Sequence, residues 1–326
     1  MQDQFGRNIT YLRVSLIDRC NLRCFYCMPQ GFSNPFKEDE LLALEEVFEI
    51  VSLFQELGVR KVRLTGGEPL LRKGVPELVA KIKSLPGIRE VVMTSNGVLL
   101  NAFAARLKQA GLDRINVSLD TLSPETFRRI TGLDKLKDVL DGIEAAVACG
   151  IAPIKINAVL MKGWNDHEVT ALAAFAVERG MEVRFIEWMP TAADIRAVRE
   201  DRFLSVDFAR RKIEEAYGLI PDLSEPFAPA RSFFIQGTRS KVGFISPLSN
   251  AFCPMCNRVR LRANGMLKTC LHGKEDLDIR TLLRSGCPRE RIKREILHTV
   301  WRRPEEHFLN NASVPHNDFV MTAVGG

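Results

Sequence analysis

Six of the chain's 8 cysteines fall into two groups of three. Cys20, Cys24 and Cys27 lie in CNLRCFYC with the spacing C-x3-C-x2-C, and Cys253, Cys256 and Cys270 are spread as C-x2-C-x13-C through FCPMC and KTC. Three thiolates make an unusual set, because a disulfide takes two and a closed zinc site or cuboidal iron–sulfur cluster takes four ligands. Thiolates favour soft metals, so each group reads as a metal-binding loop with one position left open. No histidine follows the first group before His167, which disfavours zinc there. At the second group His272 could complete a Cys3His zinc site, and that reading stays open. A cube held by three cysteines keeps one iron exposed, and an exposed iron is a reaction site. Cys149 and Cys287 stand alone and read as small buried hydrophobes.

Arg258, Arg260 and Arg262 recur at every second position beside the second group. That period places them on one face of a strand, as a polyphosphate cradle or as a solvated basic face. Asn264-Gly265 is a type I′ hairpin signal, and such a hairpin would bring Cys270 back beside Cys256. In the first half, TGGEP (65–69) carries glycines that allow backbone to approach a ligand closely. Taken alone, Gly66-Gly67 reads as a turn and Glu68 as a helix-terminal acid.

The elements that must position these residues alternate two periods. β-rich runs occur at 9–17, 59–65, 90–95, 114–120, 154–161 and 182–189. Helical patterns lie between them, such as Val47, Ile50, Val51, Phe54 and Leu57 closed by Gly58. Ser123-Pro124-Glu125 reads as a helix start, and Asn165 with Glu168 as a capping box. Strand–helix repetition predicts a parallel sheet with right-handed crossovers. Six units are visible where a complete TIM-type barrel has eight, so residues 1–190 are expected to form a partial (β/α)6 barrel. The first cysteine loop follows the first strand directly, at the end where such barrels do chemistry. Residues 191–326 change pattern: a helix at 205–218, a proline-rich connection at 224–230, two hairpins and two basic helices. They are expected to form a smaller α+β region that carries the second cysteine group and closes the barrel's open side.

Composition is that of an ordinary globular protein, with 46% hydrophobic and 26% charged residues over 326 positions. The N-terminus lacks the apolar core of a signal peptide, and no apolar run is long enough to span a bilayer. A cytoplasmic location is expected, where clustered thiols stay reduced and bind metal. The net charge of +6 permits an anionic small molecule and is too mild to call for nucleic acid. No basic–aromatic repeat is present either.

CNLRCFYC resembles the cluster loop of the radical S-adenosylmethionine enzymes, a likeness that covers roughly residues 9 to 190. It implies a 4Fe-4S cluster on Cys20, Cys24 and Cys27 whose open iron is chelated by S-adenosylmethionine. The cofactor contacts it implies are Tyr26, Gly67, Ser118 and Met189. CPMCNRVRLRANGMLKTCL, with the final Gly325-Gly326, is similar to the MoaA family of GTP cyclases in molybdenum cofactor biosynthesis, over nearly the whole chain. That similarity implies a second 4Fe-4S cluster on Cys253, Cys256 and Cys270, with an open iron for the guanine ring. It also implies GTP contacts at Arg13, Arg63, Thr94, Lys155, Arg258, Val259 and Arg260. The implied reaction begins with reductive cleavage of S-adenosylmethionine to a 5′-deoxyadenosyl radical, which removes hydrogen from the ribose 3′ carbon of GTP. Attack on guanine carbon 8, reduction and protonation then give (8S)-3′,8-cyclo-7,8-dihydroguanosine 5′-triphosphate. A reducing electron donor and a downstream cyclic pyranopterin monophosphate synthase are implied partners, and a homodimer is compatible with the reading. The diglycine tail is expected to thread toward the active site, through Arg13, Arg63 or Lys155. The charged segment from Pro190 to Leu204 departs from the family pattern. Two other readings use the same cysteines: a radical peptide-modifying enzyme with an auxiliary cluster, and an iron–sulfur electron carrier. The missing fourth cysteine in each group argues against a carrier.

Overall fold

The structure is a computed structural model and describes residues 1–28, 36–189, 201–224, 228–273, 276–307 and 320–325. All six expected strands form inside their runs: β1 (Tyr11–Ser15), β2 (Lys61–Thr65), β3 (Glu90–Ser95), β4 (Arg114–Ser118), β5 (Ile154–Leu160) and β6 (Glu182–Glu187). Each pairs in parallel with the next. Helices lie between them. Leu44–Glu56 buries Val47, Ile50, Val51, Leu53 and Phe54, and the chain then turns at Gly58 with φ +99°. Ser123 caps the helix Pro124–Thr131 by accepting from Thr126 N at 3.3 Å.

The capping box expected at Asn165 and Glu168 does not form. Asn165 accepts from Met161 N at 2.9 Å and donates to Asp120 O and Val159 O, each at 2.8 Å. Glu168 accepts from Thr121 Oγ1 and, at 2.7 Å, from Leu122 N. Buried backbone groups at the ends of β4 and β5 need these partners more than an accessible helix end does.

The C-terminal region adds β7 (Leu219–Asp222), β8 (Arg231–Ile235), β9 (Lys241–Ile245), β10 (Arg258–Leu261), β11 (Met266–Lys268) and β12 (Leu277–Asp278). These strands extend the barrel sheet at both of its ends. The order is β12-β11-β10-β1-β2-β3-β4-β5-β6-β9-β8-β7, with β10 parallel to β1 and β9 parallel to β6. An open barrel leaves two edges whose N–H and C=O groups lack partners, and these additions satisfy them. The chain therefore leaves one end of the six-stranded arc at Ile245 and joins the other at Arg258. Residues 246–257, which include Cys253 and Cys256, must cross the open side between those points.

The β10–β11 hairpin forms, but its turn is not type I′. That turn needs positive φ at both central residues, and only Gly265 is positive, at +84°. Gly265 N instead bonds Arg262 O and Arg262 N bonds Met266 O, each at 2.9 Å. This is a three-residue loop ending in a left-handed glycine. Part of the proline-rich connection (225–227) and the segment 190–200 lie outside the described residues, as does Gly326. Among the described residues no helix is long and apolar enough to cross a membrane.

Candidate active site

Register makes the site. Arg260 on β10, Arg13 on β1 and Arg63 on β2 are direct neighbours across three parallel strands, with Arg258, Tyr11 and Lys61 forming the row beside them. Strands sit about 4.8 Å apart, so three guanidinium stems rise side by side. Like charges placed so are destabilising, and burial adds to the cost. Arg13 is held well below the usual arginine range by burial and then by Arg260. Arg260 is lowered to about 10, by burial and then by Arg258. Arg63 is anchored by donating to Thr94 Oγ1 at 2.7 Å and to the Tyr11 hydroxyl.

The row lines a cavity of about 590 Å³, which one cysteine of the first group and all three of the second also line. Cys27 and Tyr26 line it on the barrel side; Cys253, Cys256 and Cys270 line it on the C-terminal side. Arg13, Arg63, Thr94, Ser118, Met189, Arg258 and Arg260 also line it. Val259 does not: strand alternation turns its side chain into the core, where it is fully buried. Lys155 does not line it either. Its ammonium pairs with Glu182 at 2.6 Å, and Glu182 in turn holds Arg184 at 2.5 Å, which does line the cavity.

The first cysteine loop is strapped down by backbone bonds, Arg23 N to Thr131 O at 2.8 Å and Phe25 N to Ile130 O at 3.2 Å. Leu22 N and Asn96 Nδ2 each approach the Cys20 sulfur at 3.4 Å. Asn96 is set by the fully buried Glu68, which accepts from Asn96 N at 2.7 Å, Ser95 Oγ at 3.0 Å and Leu70 N at 3.1 Å. Burial raises Glu68 to about 7. The tyrosine hydroxyl of Tyr26 donates to Asp120 at 2.6 Å. The close approach made possible by Gly67 is to the protein itself: a Cβ there would lie 2.2 Å from Arg19 O.

At the second group, Arg303 donates to Cys256 O at 2.9 Å. Arg7 donates to Cys253 O at 3.0 Å and to Pro304 O and Glu305 O at 2.6 Å, while pairing with Asp3 at 2.6 Å. Burial opposes ionisation of Cys256, but Arg258 and Arg303 outweigh it and bring the thiol down to about 6. The residues present fit two clusters. Each group offers three unpaired thiols, and N–H donors or guanidiniums are aimed at them. Among the described residues no three Cys, His, Asp or Glu side chains converge for one metal ion. A cuboidal cluster does not require that, since each thiolate binds a different iron.

The tail reaches the site by partners other than those expected. Arg260 donates to Gly325 O at 3.1 Å and Arg262 to Ala323 O at 3.2 Å, while Met321 N bonds Cys27 O at 3.2 Å. Sequence reasoning missed the cavity cations Lys61 and Arg114, which begin β2 and β4, and Arg184, which interrupts an apolar strand just as Arg63 does. It also missed Arg7 and Arg303, which no local pattern marks.

Residues 14–176 match the Radical SAM superfamily and residues 181–309 match Molybdenum Cofactor Synthesis C. Streptococcus suis SuiB, solved with S-adenosylmethionine bound, superposes with TM-score 0.60 at 14% identity, covering 85% of this chain and 66% of that one. Such low identity shows a shared fold alone. The chain belongs to the radical SAM superfamily. A GTP 3′,8-cyclase of Thermodesulfovibrio yellowstonii is 44% identical over 94% of this chain and 95% of its own length. One of Alkaliphilus metalliredigens is 40% identical over 100% of both. Within the superfamily, the chain is a member of the GTP 3′,8-cyclase family.

Proposed function

We propose that this protein converts GTP to (8S)-3′,8-cyclo-7,8-dihydroguanosine 5′-triphosphate, the first step of molybdenum cofactor biosynthesis. The observation that carries this reading is the Arg260–Arg13–Arg63 row, set in one cavity with Cys27 of the first cysteine group and all three cysteines of the second. A like-charged buried row calls for a polyanion, and guanidinium–phosphate bonds are charge-assisted. Once loaded, the first 4Fe-4S cluster would supply the electron for reductive cleavage of S-adenosylmethionine, and the second would supply Lewis-acid binding of the base.

The chain's own residues then have separable tasks. Cys20, Cys24 and Cys27 hold the first cluster, and Cys253, Cys256 and Cys270 the second. Tyr26, Gly67, Ser118 and Met189 bound the S-adenosylmethionine site, with Asp120 orienting Tyr26. Arg13, Arg63, Arg258 and Arg260 take the triphosphate, Thr94 fixes Arg63, and Val259 contributes through its backbone. Lys155 acts through Glu182, which it holds for Arg184. The crossing segment 246–257 and the tail at 320–325 cover the open side and keep out stray hydrogen donors, such as thiols and weak C–H groups, that would quench a carbon radical. On this reading residues 1–190 deliver the radical and share the triphosphate site with residues 191–326, which carry the cysteines of the second cluster. The protein works in the cytoplasm with a reducing electron donor and hands its product to a cyclic pyranopterin monophosphate synthase.

Anaerobic protein with both clusters loaded, given dithionite, S-adenosylmethionine and GTP, should form the cyclised triphosphate by mass analysis. S-adenosylmethionine cleavage without any change in GTP would overturn the assignment of substrate.

A further inference from the structure

Reductive cleavage at the first cluster consumes one electron per turnover, so an electron donor must reach the cysteine loop from outside. This rests on the function proposed above. The helix Pro124–Thr131 and the loop after β5 meet beside that loop, and an ordered stack leads inward from them. The Arg129 guanidinium lies 4.0 Å from the Trp164 ring centroid, and Trp164 lies 4.7 Å from Phe25 at an interplanar angle of 32°. Phe25 is the residue between Cys24 and Tyr26. An exposed cation, a half-buried indole, a phenyl ring and a cluster ligand thus follow one another from the surface inward.

Charge surrounds the outer end of this stack. Arg23, Arg129 and Lys162 are exposed, and among the described residues none makes an ion pair with an acid. The arginines of the C-terminal helices differ: Arg284 is neutralised by Glu46, and Arg289 by Glu49 and Glu56. Three carboxylates lie on the same elements: Asp166, which accepts from Gly163 N at 2.7 Å, and the exposed Glu125 and Asp134. With Arg128 also exposed beside Arg129, cations still outnumber them, and beside Arg23 Leu133 stays 39% exposed and adds an apolar spot to a net basic patch. Small, partly apolar patches with a net charge suit the transient interfaces of electron transfer, which bury under about 1,200 Å².

We propose that Arg23, Arg129 and Lys162, arranged around Trp164, form the docking surface for an acidic one-electron carrier protein that reduces the first cluster. The carrier loses one electron, the cluster gains it, and no atom is transferred. Electrostatic steering would raise the encounter rate and make it fall with ionic strength.

The test uses the cluster-loaded protein and a bacterial flavodoxin, an acidic flavin protein, as the probe. Binding of oxidised flavodoxin to unmodified protein and to R129E/K162E is titrated at low and high salt. Affinity should fall about tenfold or more in the variant and fall with salt in the unmodified protein. Iron content and dithionite-driven S-adenosylmethionine cleavage should stay unchanged, while flavodoxin-driven cleavage slows. Should the charge reversal damage the fold, R129Q/K162Q is read instead and should weaken binding with dithionite activity intact. Equal flavodoxin affinity in variant and unmodified protein, or no binding by the unmodified protein, overturns the proposal. Failure to cyclise GTP with dithionite would defeat the functional reading and leave this binding result separately readable.

Discussion

Replacing Gly67 by alanine isolates the link between the TGGEP turn and the first cluster. Gly67 carries no left-handed backbone angle, so alanine meets no conformational penalty there. The penalty is steric: the new methyl would lie 2.2 Å from Arg19 O and 2.5 Å from Arg19 C, where real Cβ contacts under 3.0 Å essentially never occur. Backbone atoms cannot rotate away as a flexible side chain can, so Arg19 must move by nearly 1 Å and take Cys20 with it. Overpacking of this kind costs about 1–3 kcal/mol. Because native domains hold about 5–15 kcal/mol, the protein should still fold. A displacement of about 1 Å at reacting groups costs about 100-fold in rate. G67A should therefore lose the first cluster or most S-adenosylmethionine cleavage while keeping the second cluster, read by iron and sulfide analysis and by electron paramagnetic resonance. Gly150 is the control: its Cβ would meet nothing within 4 Å but its φ is +71°, so G150A should lower the melting temperature and leave both clusters intact. Two full clusters and unaltered cleavage in G67A would refute the reasoning.

Removing Arg258 or Arg260 should weaken GTP binding by about 1.5–3 kcal/mol each, measured by equilibrium titration, with S-adenosylmethionine cleavage retained; unchanged affinity in the double variant would count against the cradle. Replacing Arg7 by alanine strands the buried Asp3 carboxylate, whose side chain is 0% exposed, at about 3–5 kcal/mol. It also frees the Cys253 loop, so cluster analysis should find the second cluster lost before the first. Burial, then Arg184, lowers Lys155 to about 8, and in Tyr11 the nearby Arg63, Arg13 and Lys61 outweigh burial to bring it to about 7. As pH rises from 6 to 9 close to one positive charge is lost at Lys155 and one negative charge gained at Tyr11, so GTP affinity should fall; a flat profile would contradict both assignments. At Gly325 the φ is +78° and a Cβ would lie 2.5 Å from Thr65 Cγ2, so G325A should lower cyclised product steeply while cluster content holds; product at the unmodified rate would make the tail ordinary slack.

Local pattern made the barrel legible, because each parallel strand buried on both faces reads as a short apolar run between helical periods. It also marked the cysteine loops, whose chemistry depends on spacing inside one segment. What local pattern cannot carry is pairing across hundreds of residues. Nothing in VRLRANG says that Arg260 will sit beside Arg13, yet that register creates the anion site. The same limit hid Arg7 and Arg303, which act on backbone carbonyls of the 253–256 loop from opposite ends of the chain. The two local readings that failed did so for different reasons. Asn165 and Glu168 serve buried groups across the sheet, and the Asn264-Gly265 hairpin takes a longer loop than its dipeptide alone suggests.

The two cysteine groups differ in their electrostatic surroundings, and on the proposed function the nucleotide would lie between them. Burial raises Cys24 and Cys27, with Asp120 adding to it, so the first group is an acid-flanked, dry setting. The second group is mixed: burial raises Cys253, while Arg258 and Arg303 outweigh burial at Cys256 and draw it down to about 6. Between them the arginine row is divided: Arg260 arrives on β10 from the C-terminal region, whereas Arg13 and Arg63 belong to the barrel. Neither half makes a triphosphate site alone. The row exists only once β10 has paired with β1, which is also the step that brings the second cysteine group across the open side. Folding this way brings three mutually repelling cations together at a strand junction, a cost that the fold by itself does not explain. A bound polyanion removes that repulsion, so the same contact that completes the sheet also creates the demand for the substrate.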